Sequence, residues 1–278
     1  MSVSSALARA FSRVASRRPR LSLPSPTRSF SGGYAPPPPP PRPAPLPPWA
    51  ALLGAAAGLS GGVMLQAMFE ARADARDVLA LPLREGCAVV FLELADGDEG
   101  GAPLGRLTVQ LRSDAAPRAA TNFLRLCTHA AGYGYRRSPV LGIERGRRLL
   151  AGDFFGSGAG SHSSFAEGAA FADEAGGLAL RHIGPGIVAM RNSGPNSNGS
   201  QFYVSLRRLP DLDGRSVVVG HVVDEDSLRL LEFVERHFAT GGDGRLRKGH
   251  DLRIANCGVL DESAVAQLRA RRAAAHRS

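Results

Sequence analysis

Apolar residues alternate with polar ones through much of the chain after residue 86, which is the period of β-strands with one buried face. The run Pro103–Leu111 is one such strand, with Leu107, Val109 and Leu111 on a single face. Leu252–Leu260 is predicted to be the last strand. Glycine-rich turns separate these short runs, as expected of a mainly β domain.

Two segments have helical spacing instead. In Ala115–Thr128, Phe123 and Cys127 share one apolar stripe. In Ser227–His237, apolar residues recur at helical intervals and predict a second helix. Together these elements predict a mainly β fold, a closed antiparallel β-barrel capped by two α-helices.

Residues 190–206 join a turn cluster, Gly194–Gly199, to a strand that is predicted to begin at Gln201. Alternation along that strand places Gln201 and Tyr203 on the same face. An amide can bond the backbone of an extended peptide, and a neighbouring aromatic ring can pack a flat apolar side chain. This face is therefore a candidate peptide-binding surface.

The run Gly-Pro-Asn-Ser-Asn-Gly-Ser-Gln-Phe within this segment resembles the signature of the cyclophilins, a family of peptidyl-prolyl cis-trans isomerases. The resemblance extends over about residues 86–260. It implies a cyclophilin-like barrel for this domain. It also implies a groove that binds extended, proline-containing segments.

The resemblance further implies a catalytic arginine, which donates a hydrogen bond toward the prolyl nitrogen and so lowers a rotational barrier of about 18–20 kcal/mol. An ungapped alignment between Tyr135 and Asp153 places Gly142 at that arginine position. Arg147 and Arg148 fall where the family has the apolar pair that lines the proline pocket. Asp211 and Ser216 fall on the family's tryptophan and pocket histidine.

Much of the other groove wall is retained, although Arg191 and Ser193 replace the alanines beside the groove asparagine. The expected peptide-binding residues are Arg191, Asn192, Ser193, Gln201, Tyr203 and Leu212. Arg145 is the best substitute for the missing arginine. A shift of three residues reverses the facing of a strand, so this substitution would need a β-bulge.

The predicted function is a cyclophilin-like domain that binds extended or proline-containing segments, with weak or lost isomerase activity because the arginine position is Gly142. Two alternatives stay open: an active prolyl isomerase that assists folding in an organelle, and a non-catalytic scaffold subunit of a membrane complex. The expected partners are protein or peptide segments, acidic or proline-containing. No cofactor or metal is expected, because the histidines and the three cysteines form no ligand pattern.

Residues 1–30 have the composition of a mitochondrial transit peptide. They are rich in arginine and serine, and no acidic residue precedes Glu70. Ala6–Ala15 has an amphipathic pattern, which favours mitochondria over chloroplasts, and Arg28-Ser29-Phe30-Ser31 resembles a processing site cleaved after Phe30. The alternative is a disordered basic tail.

Three segments separate residue 30 from the domain. Residues 31–48 are proline-rich and predict a stiff, extended spacer. Residues 49–69 are uncharged and about as long as a membrane-spanning helix, so they predict a single transmembrane helix and an inner-membrane location. The alternative is a buried or amphipathic helix of a soluble protein. Residues 70–85 predict a helical linker.

The formal net charge of +9 is concentrated in the tails: residues 1–48 contribute +7 and the basic tail 261–278 contributes +2, which leaves 49–260 neutral. A nucleic-acid partner for the barrel is therefore not expected.

Overall fold

The structure, a computed structural model, describes residues 73–275 apart from 98–99, 157–161, 166–167, 239–243, 245 and 247–248. The predicted transit peptide at 1–30 and the proline-rich spacer at 31–48 lie outside the described residues.

Eight antiparallel strands close into a barrel, in the spatial order β1-β2-β7-β5-β6-β4-β3-β8. The strands are β1 Val89–Asp96, β2 Ala102–Leu111, β3 Ser138–Glu144, β4 Arg148–Ala151, β5 Ile187–Met190, β6 Phe202–Ser205, β7 Val218–Val222 and β8 Leu252–Val259. The prediction of a closed antiparallel barrel is confirmed. The strand of the signature begins at Phe202, one residue later than predicted, and both of its faces are buried.

Five helices occur in the described part: α1 (73–80), α2 Pro117–Cys127, α3 Ala175–Ala179, α4 Glu225–Phe238 and α5 Glu262–Ala275. The two helices predicted for the barrel correspond to α2 and α4. Helix α1 lies within the segment 70–85 that was predicted to be a helical linker, and α5 lies within the basic tail 261–278. The short α3 was not predicted.

The predicted membrane-spanning helix is also corrected. Across the described residues, no helix combines the length and apolar character that crossing a bilayer requires. The segment 49–69, on which that prediction rested, lies outside these residues. The fold class of the described residues is therefore a closed antiparallel barrel with packed helices, none of which is a membrane-spanning candidate.

The N-terminus of helix α2 is capped by a side chain from a distant part of the chain. Pro117 occupies its first turn, where a missing N–H costs nothing. The next two backbone N–H groups, of Arg118 and Ala119, donate to the Glu174 carboxylate at 2.8 Å each. A carboxylate at a helix N-terminus also interacts favourably with the helix dipole. Glu174 therefore replaces the side-chain cap that Ala116 cannot supply.

The core beneath α2 is aromatic. The rings of Phe123, Tyr135 and Phe202 pack with centroids 4.9–5.1 Å apart, and all three side chains are buried. The Tyr135 hydroxyl donates to the backbone carbonyl of Ser200 at 2.9 Å. Such aromatic pairs contribute about 0.5–1.5 kcal/mol beyond their buried area. This cluster fixes the start of β6, and so the strand that carries Tyr203.

Helix α5 contacts the segment that leads into the barrel. None of its residues is fully buried. Its Arg272 guanidinium nevertheless donates to the backbone carbonyls of Leu79 and Leu81, the latter at 2.7 Å. The C-terminal helix is thereby bonded to the end of α1.

His221 on β7 is buried, and its Nε2 has no hydrogen-bond partner among the described residues. Burial, together with the charges of Arg272 and Arg112, lowers the pKa of His221 to about 4. The ring is therefore neutral in the native protein at neutral pH.

The free energy of unfolding is expected to fall as the pH is lowered from 6.5 to 4. Over this range the unfolded chain takes up a proton at His221 that the native protein does not, at a cost on the order of 3 kcal/mol. Denaturant unfolding of wild type and His221→Leu across this range measures the effect. The decline should be smaller by that amount in the variant, and equal declines would contradict the assignment.

Candidate functional site

One cavity of about 530 Å³ lies where β4 and β6 meet the β5–β6 connection and the loop 212–216. Four of the six predicted peptide-binding residues line it: Arg191, Asn192, Tyr203 and Leu212. The other lining residues are Arg148, Asp173, Gly194, Pro195, Gly214, Arg215 and Ser216. The structure therefore brings most of the predicted site together, and we call this cavity the groove.

Tyr203 lies in the groove wall on β6, which pairs with β4 on one side and β5 on the other. Its hydroxyl is hydrogen-bonded to Nε2 of His182 at 2.8 Å. Nδ1 of His182 lies 2.9 Å from Oδ1 of Asp213, and the backbone N–H of His182 donates to the same oxygen at 2.8 Å. The three side chains form one hydrogen-bonded row that ends at the groove.

The protonation states of this row follow from burial. Burial raises the pKa of Tyr203 to about 12, against the opposing effects of a hydrogen bond with Ser216 and the charge of Arg148. Burial also lowers the pKa of His182, although Asp213 acts in the opposite direction. A neutral His182 donates from Nδ1 to Asp213 and accepts the Tyr203 hydroxyl at Nε2.

An arginine covers the Tyr203 ring. The guanidinium carbon of Arg148 lies 5.2 Å from the ring centroid, within the range of a cation–π interaction. Glu144 holds the same guanidinium by two hydrogen bonds, of 2.8 and 3.0 Å. With Arg148 in place, Tyr203 has no exposed surface. The Tyr203 ring, which is the aromatic surface of the groove, is therefore covered by the Arg148 side chain.

A row of ion pairs extends from this point across the groove wall. Arg147 lies 3.4 Å from the Glu144 carboxylate and donates to Asp211 at 2.5 Å. Asp211 belongs to the 3-10 turn Pro210–Leu212. Partial burial raises the pKa of Asp211, but the hydrogen bond and charge of Arg147 outweigh it, so the pKa is lowered. Charged groups thus link the β3–β4 hairpin to the 3-10 turn.

Gln201, which is buried, is paired with the exposed Arg191. The Arg191 guanidinium donates to Oε1 of Gln201. The Nε2 of Gln201 is buried and has no hydrogen-bond partner among the described residues. The amide predicted to bond a peptide backbone is therefore engaged on its acceptor side, and its donor is unused.

Ser193 lies in the exposed turn between β5 and β6, where its backbone N–H donates to the Ser197 hydroxyl at 3.0 Å. Asp173 braces this turn by accepting the backbone N–H of Asn196 at 2.9 Å and the side chain of Asn198 at 2.7 Å. Asn196 has a positive φ of 61°, which asparagine tolerates well. The turn is held by these contacts rather than by Ser193 itself.

Gly142, at the position of the family's arginine, does not face the groove. The register of β3 and β4 shifts between Val140 and Gly142, and the buried Gly142 lies against residue 244. A Cβ at Gly142 would approach the Gly244 carbonyl oxygen to 2.1 Å. The local backbone therefore excludes any side chain at this position.

Arg145 is exposed in the turn between β3 and β4 and does not line the groove. The bulge that its substitution would require does exist, but it lies before Gly142. The turn itself is fixed by Gly146, whose φ is 66° and whose N–H donates to Glu235 on α4 at 2.5 Å.

Sequence reasoning did not predict site roles for Asp173, His182 and Asp213, and it placed Arg148 at the pocket without its contact to Tyr203. One signal was present: a tyrosine predicted on a barrel strand needs a partner for its hydroxyl when it is buried. The role of Arg148 depends on side-chain direction, which spacing alone does not provide. In the described part of the chain, no three histidine, cysteine or acidic side chains lie close enough to hold a metal ion.

Comparison with known families gives an independent assignment. Residues 96–259 match the family model described as cyclophilin type peptidyl-prolyl cis-trans isomerase/CLD. The match covers more than half of the 278-residue chain.

Tyr203→Phe is expected to destabilise the domain by about 1–3 kcal/mol, because it leaves the buried Nε2 of His182 without a partner. Denaturant unfolding measures the change. Tyr133→Phe serves as the control, because the Tyr133 hydroxyl is only half-buried and binds the Ser163 carbonyl at 2.8 Å. A smaller loss for Tyr203→Phe than for Tyr133→Phe would argue against the hydrogen-bonded row.

Proposed function

The chain belongs to the cyclophilin-type peptidyl-prolyl cis-trans isomerase family, and we propose that its barrel binds extended protein segments with little or no prolyl isomerisation. The observation that carries this proposal is the Arg148 guanidinium on the Tyr203 ring. In the family, that part of the groove receives the proline ring.

Proline binding needs an apolar, accessible surface. To reach Tyr203, a proline ring would have to displace Arg148 from both the ring and Glu144. Hydrogen bonds to a charged group are worth about 1.5–3 kcal/mol, so this displacement opposes binding. The replacement of apolar wall residues by Arg147 and Asp211 acts in the same direction.

Catalysis needs a donor directed at the prolyl nitrogen. The position of the family's arginine is Gly142, and its Cβ direction is blocked by the carbonyl of Gly244. Arg145 is exposed in the neighbouring turn and outside the groove lining. Both observations support a groove that has no arginine positioned to accelerate rotation about the bond before proline.

Binding of an extended segment is supported by what the groove retains. Asn192 is half-exposed, and its side-chain nitrogen lies 3.4 Å from the Arg215 carbonyl, a weak contact that a peptide could replace. Gln201 is not among the residues that line the groove, but it is bonded to Arg191, which is, and its buried amide donor has no hydrogen-bond partner among the described residues. Segments that are acidic or contain proline are the candidates.

The full-length protein is expected to leave the cis-trans exchange rate of a Xaa–Pro peptide at its uncatalysed value. Exchange NMR measures the rate, with an active cyclophilin as the positive control. Acceleration by the wild-type protein would overturn the proposed loss of activity. If that acceleration disappeared in Arg145→Ala, it would identify Arg145 as a relocated catalytic arginine and support the alternative of an active isomerase.

We also propose that the protein is imported into mitochondria, on the basis of the arginine-rich, acid-free composition of residues 1–30. A reporter fused after residue 31 should enter isolated mitochondria and be cleaved after Phe30, as read by N-terminal sequencing. Replacing Arg9, Arg13 and Arg17 with glutamine should prevent import. Equal import of both fusions, or import into chloroplasts instead, would contradict this location.

A further inference from the structure

The groove carries more positive than negative charge. Three arginines line it, Arg148, Arg191 and Arg215, against the single carboxylate of Asp173. Asp173 is already bonded to Asn196 and Asn198 in the turn. Because both of its oxygens already accept hydrogen bonds, the Asp173 carboxylate is less available to pair with the arginines.

The three arginines differ in how their charges are balanced. Arg148 is paired with Glu144 through two hydrogen bonds. Arg191 donates to the neutral amide oxygen of Gln201, and no acidic side chain of the described residues pairs with it. Arg215 is exposed and likewise forms no ion pair with a described residue. Two positive charges at the groove thus lack an anionic partner.

Neutral donors stand beside these charges. The Nε2 of Gln201 is buried and unpartnered, and the side chain of Asn192 is only weakly held. An anionic side chain of a bound segment would find two guanidinium groups. Its backbone would find amide donors close by. Charge-assisted hydrogen bonds from arginine are about twice as strong as neutral ones, so a carboxylate competes well with the Gln201 oxygen for Arg191.

We propose that the groove recognises extended segments through an anionic side chain, which pairs with Arg191 and Arg215 in place of the proline that the family's groove receives. This inference rests on the proposed function, since it names the class of segment that the same groove binds. Removal of Arg191 from Gln201 also frees the Gln201 side chain, which then bonds the backbone of the segment. Binding of the anionic side chain and of the backbone are thereby coupled.

Calorimetric titration of the full-length protein tests this with four matched peptides. The peptides share one glycine- and alanine-rich frame with glutamate, glutamine, phosphoserine or proline at the centre. The glutamate peptide should bind at least about tenfold more tightly than its glutamine twin, with a marked loss of affinity at high salt. The phosphoserine peptide distinguishes a phosphate from a carboxylate as the better anion.

Variants assign the effect to the groove. Arg191→Ala and Arg215→Ala should each remove most of the preference for glutamate over glutamine, and Arg191→Lys should retain part of it. Arg236→Ala is the matched control, because it deletes one exposed arginine on α4, outside the groove lining, that is paired with Glu232. Arg191 and Arg215 are both exposed, so their substitution leaves the core intact.

The outcomes are distinct. Equal affinity for the glutamate and glutamine peptides, or tightest binding of the proline peptide, overturns the anionic preference and leaves segment binding standing. Equal loss of the preference in Arg236→Ala and Arg191→Ala also overturns it, because the charge would then act from a distance. Absence of binding to all four peptides overturns both this inference and the proposed function.

Discussion

The buried hydroxyl of Tyr203 is the constraint around which the groove is built. A phenol on an interior strand must find a hydrogen-bond partner, since an unpaired hydroxyl at that depth costs about 1–3 kcal/mol. His182 supplies the partner, and Asp213 holds His182 in the tautomer that can accept. Because Asp213 lies just after the 3-10 turn, this requirement also positions the loop that closes the groove. One hydroxyl thus ties three separate segments of the chain together.

Electrostatic contacts replace apolar ones on the groove wall that contains Arg147 and Arg148. Arg147 and Arg148 bond Asp211 and Glu144 where the family has apolar and aromatic residues. Partly exposed ion pairs add little net stability, typically below about 1 kcal/mol each, because desolvation offsets their attraction. They are directional, however, and they hold each arginine head in one place. The wall is therefore held in place by charged contacts at positions where the family has apolar ones.

The strands, α2 and α4 could be predicted from sequence because their apolar spacing is regular. The peptide-binding set around Asn192 and Tyr203 followed from a dense motif whose residues lie on adjacent elements. The orientation of Gly142 could not be predicted, because a single-residue register shift before it reverses the facing and leaves no mark in the residue pattern. The alignment placed Arg148 in the pocket wall, but the direction of its side chain could not be predicted, since it depends on Glu144 across the hairpin. The transmembrane helix of the predicted fold class rested on residues 49–69, which lie outside the described residues, and no described helix has the length and apolar character to span a membrane.

The bonds from Arg272 to the carbonyls of Leu79 and Leu81 have a mechanical consequence. They join the last helix to the segment that enters the first strand, so the two ends of the domain form one unit. A tension applied through the chain before residue 73 would be shared between β1 and α5 instead of peeling β1 from the barrel alone. The same bonds limit the directions in which the upstream chain can leave the domain. The C-terminal helix thus reinforces the segment through which the chain enters the first strand.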